Sequence, residues 1–243
     1  MQSWGLTDVG CVRKQNQDAF HIEKLDRHSL LAVVCDGMGG AKSGNVASSL
    51  AVDVFVQEVT RNWTSQTDWD KCDMILRSAV KLANFTVYDQ ACQFEEFSGM
   101  GTTLVAAVIR RNQASIINVG DSRCYAITNG SIRQVTKDHS VVQMMVDRGD
   151  LTPETAKTFP GKNLITRAVG TEPTILSDIY RQDLEKGSFL VLCSDGLSNM
   201  LDDQEILFEV VHGVKKQNCC KRLLNIAKMR GSPDNVTSIL VSV

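Results

Sequence analysis

The chain has 243 residues, 43% of them apolar and 22% charged, a balance that belongs to folded globular proteins and not to disordered ones. Its 26 Lys and Arg against 28 Asp and Glu leave a net charge of −2, with no block of like charges, which argues against a nucleic-acid binder and against a membrane-surface patch. The longest apolar runs, Leu30–Cys35 and Leu104–Ile109, fall far short of the roughly 20 residues needed to cross a bilayer.

Residues 1–14 hold no apolar core and no small-residue cleavage site, so a cytosolic protein without a signal peptide is expected. Residues 18–25 and 29–35 read as paired strands about a polar turn at Asp26–His28. Val46, Ala47, Leu50, Ala51, Val54 and Phe55 recur at helical spacing over 46–61, and Ile75, Ala79, Leu82 and Phe85 do so over 68–92. Strands return at 102–110, 114–119, 122–128 and 131–136. Asn129-Gly130, between the last two, suits a two-residue type I′ hairpin turn, which needs positive φ at both positions.

A short helix is predicted at 139–148, then a polar stretch at 149–165 with Pro153, Pro160 and Gly161 that reads as a loop or flap. Strands at 175–183 and 187–193, helices at 202–211 and 216–230 and a last strand at 236–243 complete the chain. Tight hairpins make antiparallel neighbours, so the expected fold is α+β, two antiparallel sheets packed together and flanked by helices. The sequence carries no internal repeat and no Pro/Ser linker, which predicts a single domain over 1–243. Its eight Cys form no CxxC pair and no zinc spacing, and reduced, mostly buried thiols are expected.

The chemistry is written at the strand ends. Leu30–Cys35 runs into Asp36-Gly37, Ile116–Val119 into Gly120-Asp121, and Leu190–Cys193 into Ser194-Asp195-Gly196. Asp234 precedes the last strand and Asp18 begins the first hairpin. One Asp-Gly is an ordinary turn. Several at the ends of separate apolar strands are harder to explain that way, because each carboxylate near the core costs several kcal/mol or takes up a proton. Divalent cations remove that penalty, and an all-oxygen ligand set points to Mg²⁺ or Mn²⁺ and not to Zn²⁺. The glycine after Asp36 would let its backbone carbonyl approach an ion closely. Such a cluster can acidify a water and clamp a phosphoryl group in line with it. An Arg to grip the phosphate would complete the set, and Arg13 is the candidate.

These segments resemble the metal-dependent protein serine/threonine phosphatases of the type 2C (PPM) family, in their compact bacterial form. The resemblance runs through Thr7-Asp8-x-Gly10-x-x-Arg13-x-x-Asn16-Gln17-Asp18-x-Phe20, Asp36-Gly37-Met38-Gly39-Gly40, Gly99 to Thr103 and Val119 to Arg123. It continues through Thr136 to Ser140, Thr166 to Gly170, Ser194-Asp195-Gly196 and Asp234 to Thr237. It implies a four-layer α-β-β-α sandwich that hydrolyses phosphoserine and phosphothreonine by attack of a water bridging two Mn²⁺ or Mg²⁺ ions. By the same resemblance Asp36 bridges the metals, the Gly37 carbonyl binds the second, and Asp195 and Asp234 bind the first. Asp18 holds waters from the outer shell, Asp121 with Asp195 forms a weaker third site, and Arg13 binds the phosphate. Phosphorylated proteins, a serine/threonine kinase among them, are the implied partners, and a monomer is expected. The segment at roughly 149–168 corresponds to the flap beside the site.

Three positions depart from the family pattern. Gln17 stands where a Glu is common, Ala41 where many bacterial members have His, and Met38 where larger members carry a His proposed as general acid. No His is thus obviously placed to protonate the leaving oxygen, and a water is expected to do so. His139, Arg123 and Arg167 are expected to be structural. The carboxylates of the motifs are all intact, which counts against a non-catalytic relative. No GxxxxGK[ST] loop is present, so nucleotide binding has no support.

Overall fold

A computed structural model describes residues 1–39 and 43–243. Gly40 and Ala41, the end of the second motif and the second of the departures above, lie outside the described residues. Strands β1 (Gln2–Asp8), β2 (Asp18–Lys24) and β3 (Ser29–Met38) lead into helices α1 (Gly44–Asn62) and α2 (Trp69–Gln93). Then come β4 (Gly101–Thr102), β5 (Leu104–Arg110), β6 (Gln113–Val119), β7 (Arg123–Thr128) and β8 (Ser131–Gln134). Helices α3 (Val141–Arg148) and α4 (Pro153–Ala156) precede β9 (Asp178–Asp183) and β10 (Phe189–Cys193). The chain ends with α5 (Asp195–Ser198), α6 (Asp203–His212), α7 (Cys219–Met229) and β11 (Val236–Ser242).

The strands form two sheets, β1-β11-β10-β7-β8 and β2-β3-β5-β6-β9, with β4 paired to β3 beyond the second path. Every pairing is antiparallel. Alternation along β3 shows how the layers stack, because successive side chains leave a strand on opposite faces. Leu31, Val33 and Cys35 pack against α1 and α2, whereas Leu30, Ala32 and Val34 pack between the sheets with Leu190, Leu192, Ile239 and Val241. On the far side Tyr125, Val191, Cys193 and Leu240 meet α6 and α7. The result is a four-layer sandwich, helices outside two antiparallel sheets. Both faces of the central strands are covered, which is why they read as unbroken apolar runs although the sheets are antiparallel.

The Asn129-Gly130 turn has φ of 53° and 71°, the type I′ geometry its sequence predicts. Three findings differ from the sequence reading. Residues 2–8 form a strand, paired along its whole length with β11; its mixed polar and apolar residues give no clear period. Short helices occur at α4, inside the predicted loop, and at α5, directly after β10. The predicted apolar face of α2 is also only partly right. Its buried stripe is Cys72, Ile75, Leu76, Ala79, Val80, Ala83 and Val87, while Leu82 and Phe85 are 41% and 61% exposed. Small Ala side chains let α2 lie close on its neighbours, and this contact overrides the larger apolar residues one step round the helix. Six of the eight thiols are buried, Cys11 and Cys92 being exposed.

Leu190 is fully buried between the sheets. We therefore expect Leu190→Ala to lower the melting temperature by about 5–15 °C, and Phe85→Ala to change it by no more than about 2 °C. Thermal melts followed by circular dichroism check this, and equal shifts for the two variants would contradict the burial described.

Candidate active site

Strand direction gathers the chemistry at one end of the sandwich. Asp36 sits near the end of β3, Asp121 follows β6, Asp195 follows β10 as the first residue of α5, and Asp234 precedes β11. Antiparallel pairing sets Asp18, the first residue of β2, directly opposite Asp36. The structure brings Asp36, Gly37, Asp121, Asp195, Asp234 and Arg13 together around a cavity of about 720 Å³. Gln17, Met38, Thr103, Asn163 and Ile165 also line it, the last two from the flap segment. Asp18 is not part of this wall; it is buried, 8% exposed.

Close backbone approach explains two of the glycines. A Cβ on Gly196 would lie 1.9 Å from the Asn235 carbonyl oxygen, so only glycine lets the Asp195 turn meet the Asp234 loop. A Cβ on Gly37 would lie 2.0 Å from the Gly44 carbonyl oxygen at the start of α1. The space beside Gly37 is therefore filled by the chain itself, a reason for glycine there that ion approach alone does not supply.

A shell of neutral hydrogen-bonding side chains fixes the carboxylates. Ser194 Oγ and Thr237 Oγ1 both donate to Asp18 Oδ2, at 2.8 and 2.7 Å, tying a carboxylate of one sheet to the end of the other. Thr103 Oγ1 accepts from the Asp36 backbone N–H at 2.9 Å and shares a hydrogen bond with Ser122 Oγ at 2.7 Å. The Asn235 side chain accepts from the Gln17 N–H and donates to the carbonyls of Val9 and Gln15. It thus clasps the Arg13 loop to the Asp234 loop. Sequence reasoning assigned no role to Thr103, Ser194, Asn235 or Thr237; their only signal was adjacency to the aspartates within the same short segments.

The electrostatics are those of crowded like charges. Burial first, then neighbouring carboxylates, push Asp18 up to about 7 and Asp121 up to about 8, and hold Asp36 well above the usual carboxylate range. Asp195 is raised by burial and by Asp234, and a hydrogen bond from the Asp36 carboxyl partly offsets this. Two buried oxygens, Asp18 Oδ1 and Asp195 Oδ1, have no hydrogen-bond partner. Orphaned carboxylate oxygens and protons retained for lack of positive charge fit an all-oxygen site for hard divalent cations. Among the described residues no three Asp, Glu, His or Cys side chains form one compact ligand cluster. An ion here would complete its shell with backbone carbonyl and water oxygens, as Mg²⁺ commonly does.

Arg13 stands at the rim, its side chain 50% exposed, and its guanidinium donates to Asp234 Oδ2 at 2.8 Å. A pair this exposed contributes at most about 1 kcal/mol, so the guanidinium can change partner at small cost. Arg123, Arg167 and His139 are held elsewhere, while Lys14 joins Arg13 in the cavity lining. Arg123 grips Asp138 through two nitrogens, Arg167 pairs with Asp178, and His139 accepts from the Gly120 N–H while its other ring nitrogen meets Asp178 and Arg167. Burial holds His139 below the usual imidazole range. Burial likewise pushes up the thiols of Cys35, Cys124 and Cys193, which removes them as nucleophiles at neutral pH.

Comparison with known proteins agrees with this fold. Residues 12–225 match the family described as Protein phosphatase 2C. The protein phosphatase PhpP of Streptococcus pneumoniae is 35% identical over 242 residues, covering 98% of this chain and 96% of its own. The serine/threonine phosphatase of S. agalactiae superposes with a TM-score of 0.91 at 32% identity, covering 100% of this chain and 99% of that one. The catalytic domain of the serine/threonine protein phosphatase PstP, solved with two manganese ions, gives a TM-score of 0.84 at 31% identity, with coverages of 98% and 96%.

The raised carboxyls make a prediction for the metal-free chain. Unfolded, Asp18 and Asp121 titrate near 3.8; folded, near 7 and 8. The folded chain keeps protons that the unfolded one has released, so stability present at low pH is lost as pH rises through 7 and 8. His139 works the other way, but only below about 6.5. In chelator the melting temperature should therefore fall between pH 6.5 and 8, and millimolar Mn²⁺ or Mg²⁺ should restore it. A rise over that window in chelator would contradict the assignment.

Proposed function

Since the chain belongs to the protein phosphatase 2C family, whose members are metal-dependent serine/threonine phosphatases, we propose that it hydrolyses phosphoserine and phosphothreonine in proteins with two Mn²⁺ or Mg²⁺ ions in the aspartate cavity. The observation that carries this reading is the convergence of Asp36, Asp121, Asp195 and Asp234 on one cavity with Arg13 at its rim. When bound, the ions supply an acidified water between them and neutralise charge on the phosphoryl group. Asp36 would be shared by the two ions, Asp195 and Asp234 would hold the first, and the Gly37 carbonyl the second. Asp18 would orient waters through the oxygen that Ser194 and Thr237 leave free, and Asp121 with Asp195 would make a weaker third position.

Arg13 exchanges Asp234 for two oxygens of the substrate phosphate, which its planar fork matches. No His lines the cavity among the described residues. The leaving oxygen then takes its proton from water, and no imidazole-like break is expected in the pH profile of kcat. We read residues 1–243 as one catalytic unit that acts as a monomer. Its natural counterpart is a serine/threonine kinase, the class of enzyme that makes its substrates. The unpaired thiols of all eight Cys suit the reducing cytoplasm. Among the described residues no helix is long and apolar enough to cross a membrane.

Phosphate release from a phosphothreonine peptide, titrated with Mn²⁺ and then Mg²⁺, tests the proposal. Release should require the ion and stop in chelator. Asp36→Asn and Asp195→Asn should each reduce turnover at least about 100-fold with the fold retained. Arg13→Ala should lower kcat/KM roughly tenfold or more. Undiminished activity in both Asn variants would overturn the site.

A further inference from the structure

A second hollow, of about 530 Å³, opens beside the catalytic cavity between the flap and the turn after α5. The two share Asp121, Asn163 and Asp195 as lining, so the hollow is a continuation of the site. Val142 and Val146 of α3, four residues apart and hence on one helix face, form one wall with Pro153 and Ala156 of α4. Met200 and Leu201, which follow α5, form the other.

Helix α3 is unlike the other long helices here. Each of α1, α2, α6 and α7 buries part of its apolar face, whereas α3 buries no residue. An amphipathic helix normally exists to cover something. This one is fixed at its root, with the Val141 N–H donating to the Leu164 carbonyl and the Thr166 N–H to the His139 carbonyl, at 2.8 and 2.7 Å. Its Ser140 cap accepts from the Gln143 N–H. The wall is thus built while its apolar face stays only half-covered.

A phosphorylated residue reaches the cavity with polypeptide on both sides of it, and the shared lining leads that polypeptide into the hollow. Apart from Asp121 and Asp195, which it shares with the catalytic cavity, the charges of the hollow are balanced: Arg123 is held by Asp138 and Glu205 by Arg230, and Lys157 and Lys162 of the flap face Asp202 and Asp203 at the start of α6, so net charge does not select. The apolar walls are what remains to discriminate. We propose that the hollow seats an apolar side chain of the substrate protein, from a residue close in sequence to the phosphoserine or phosphothreonine. Val142 and Val146 are then specificity-determining residues. The inference rests on the phosphatase reading above.

The test uses the whole chain with Mn²⁺ and a phosphothreonine peptide with alanine at every flanking position, into which Leu is placed one position at a time. The compact ester p-nitrophenyl phosphate, which has no flanking residues, is the control. Leu at one position should raise kcat/KM about five- to tenfold. Val146→Asp, and separately the milder Val142→Ser, should remove that gain while p-nitrophenyl phosphate turnover stays within about twofold of the parent. A flat peptide profile with normal turnover overturns this inference and leaves the phosphatase reading intact, as does a gain that survives in both folded variants. Failure to hydrolyse the control and every peptide overturns both.

Discussion

Five carboxyl groups share one end of this sandwich, and their mutual repulsion is the constraint to which the rest of the site answers. Asp18 and Asp36 are placed opposite each other in adjacent strands, a pairing that is unfavourable for like charges. Apart from the hydrogen bond between the Asp36 and Asp195 carboxyls, nothing in the aspartates themselves holds them there. The position is imposed by backbone pairing and by neutral hydroxyls and amides: Thr103 on the Asp36 backbone, Ser194 and Thr237 on Asp18, Asn235 across the Arg13 loop. The unfavourable energy of the cluster is carried by the covered sheets behind it.

Those sheets suit the task because both of their faces are packed. A strand buried on two sides, such as β3, has little freedom to shift along its neighbours, since a one-residue slip would exchange the side chains facing the helices with those facing the opposite sheet. Register therefore fixes where the strand ends, and the strand ends fix where the carboxylates lie. Loop residues complete the site only after this platform is set. Asn163 and Ile165 reach it from a segment rooted by two backbone hydrogen bonds.

Much of this was legible in the sequence, for identifiable reasons. Apolar runs that stop at an aspartate mark buried strands whose ends face something charged, and Asn129-Gly130 can make one kind of turn well. The aspartates and Arg13 could be picked out because charged residues in those places need a reason. β1 was not legible, since its sheet position comes from pairing with β11, more than two hundred residues away, and not from its own pattern. Leu82 and Phe85 misled because helical periodicity reports an apolar face without saying which edge of it meets the neighbour. The polar shell escaped for a similar reason. Threonine and serine are common everywhere, and only the fold brings Thr7, Ser194 and Thr237 to the same carboxylate chain.

The ion pair between Arg13 and Asp234 has a thermodynamic side. One guanidinium cannot satisfy a carboxylate and a second anion with the same nitrogens at full strength. Whatever cation takes over Asp234 releases Arg13, and an anion that captures Arg13 leaves Asp234 open to a cation. On the proposed assignment the two binding events are coupled with positive cooperativity, and by reciprocity each strengthens the other by the same factor. With neither present, the side chains occupy each other, a competition worth no more than about 1 kcal/mol in so exposed a pair.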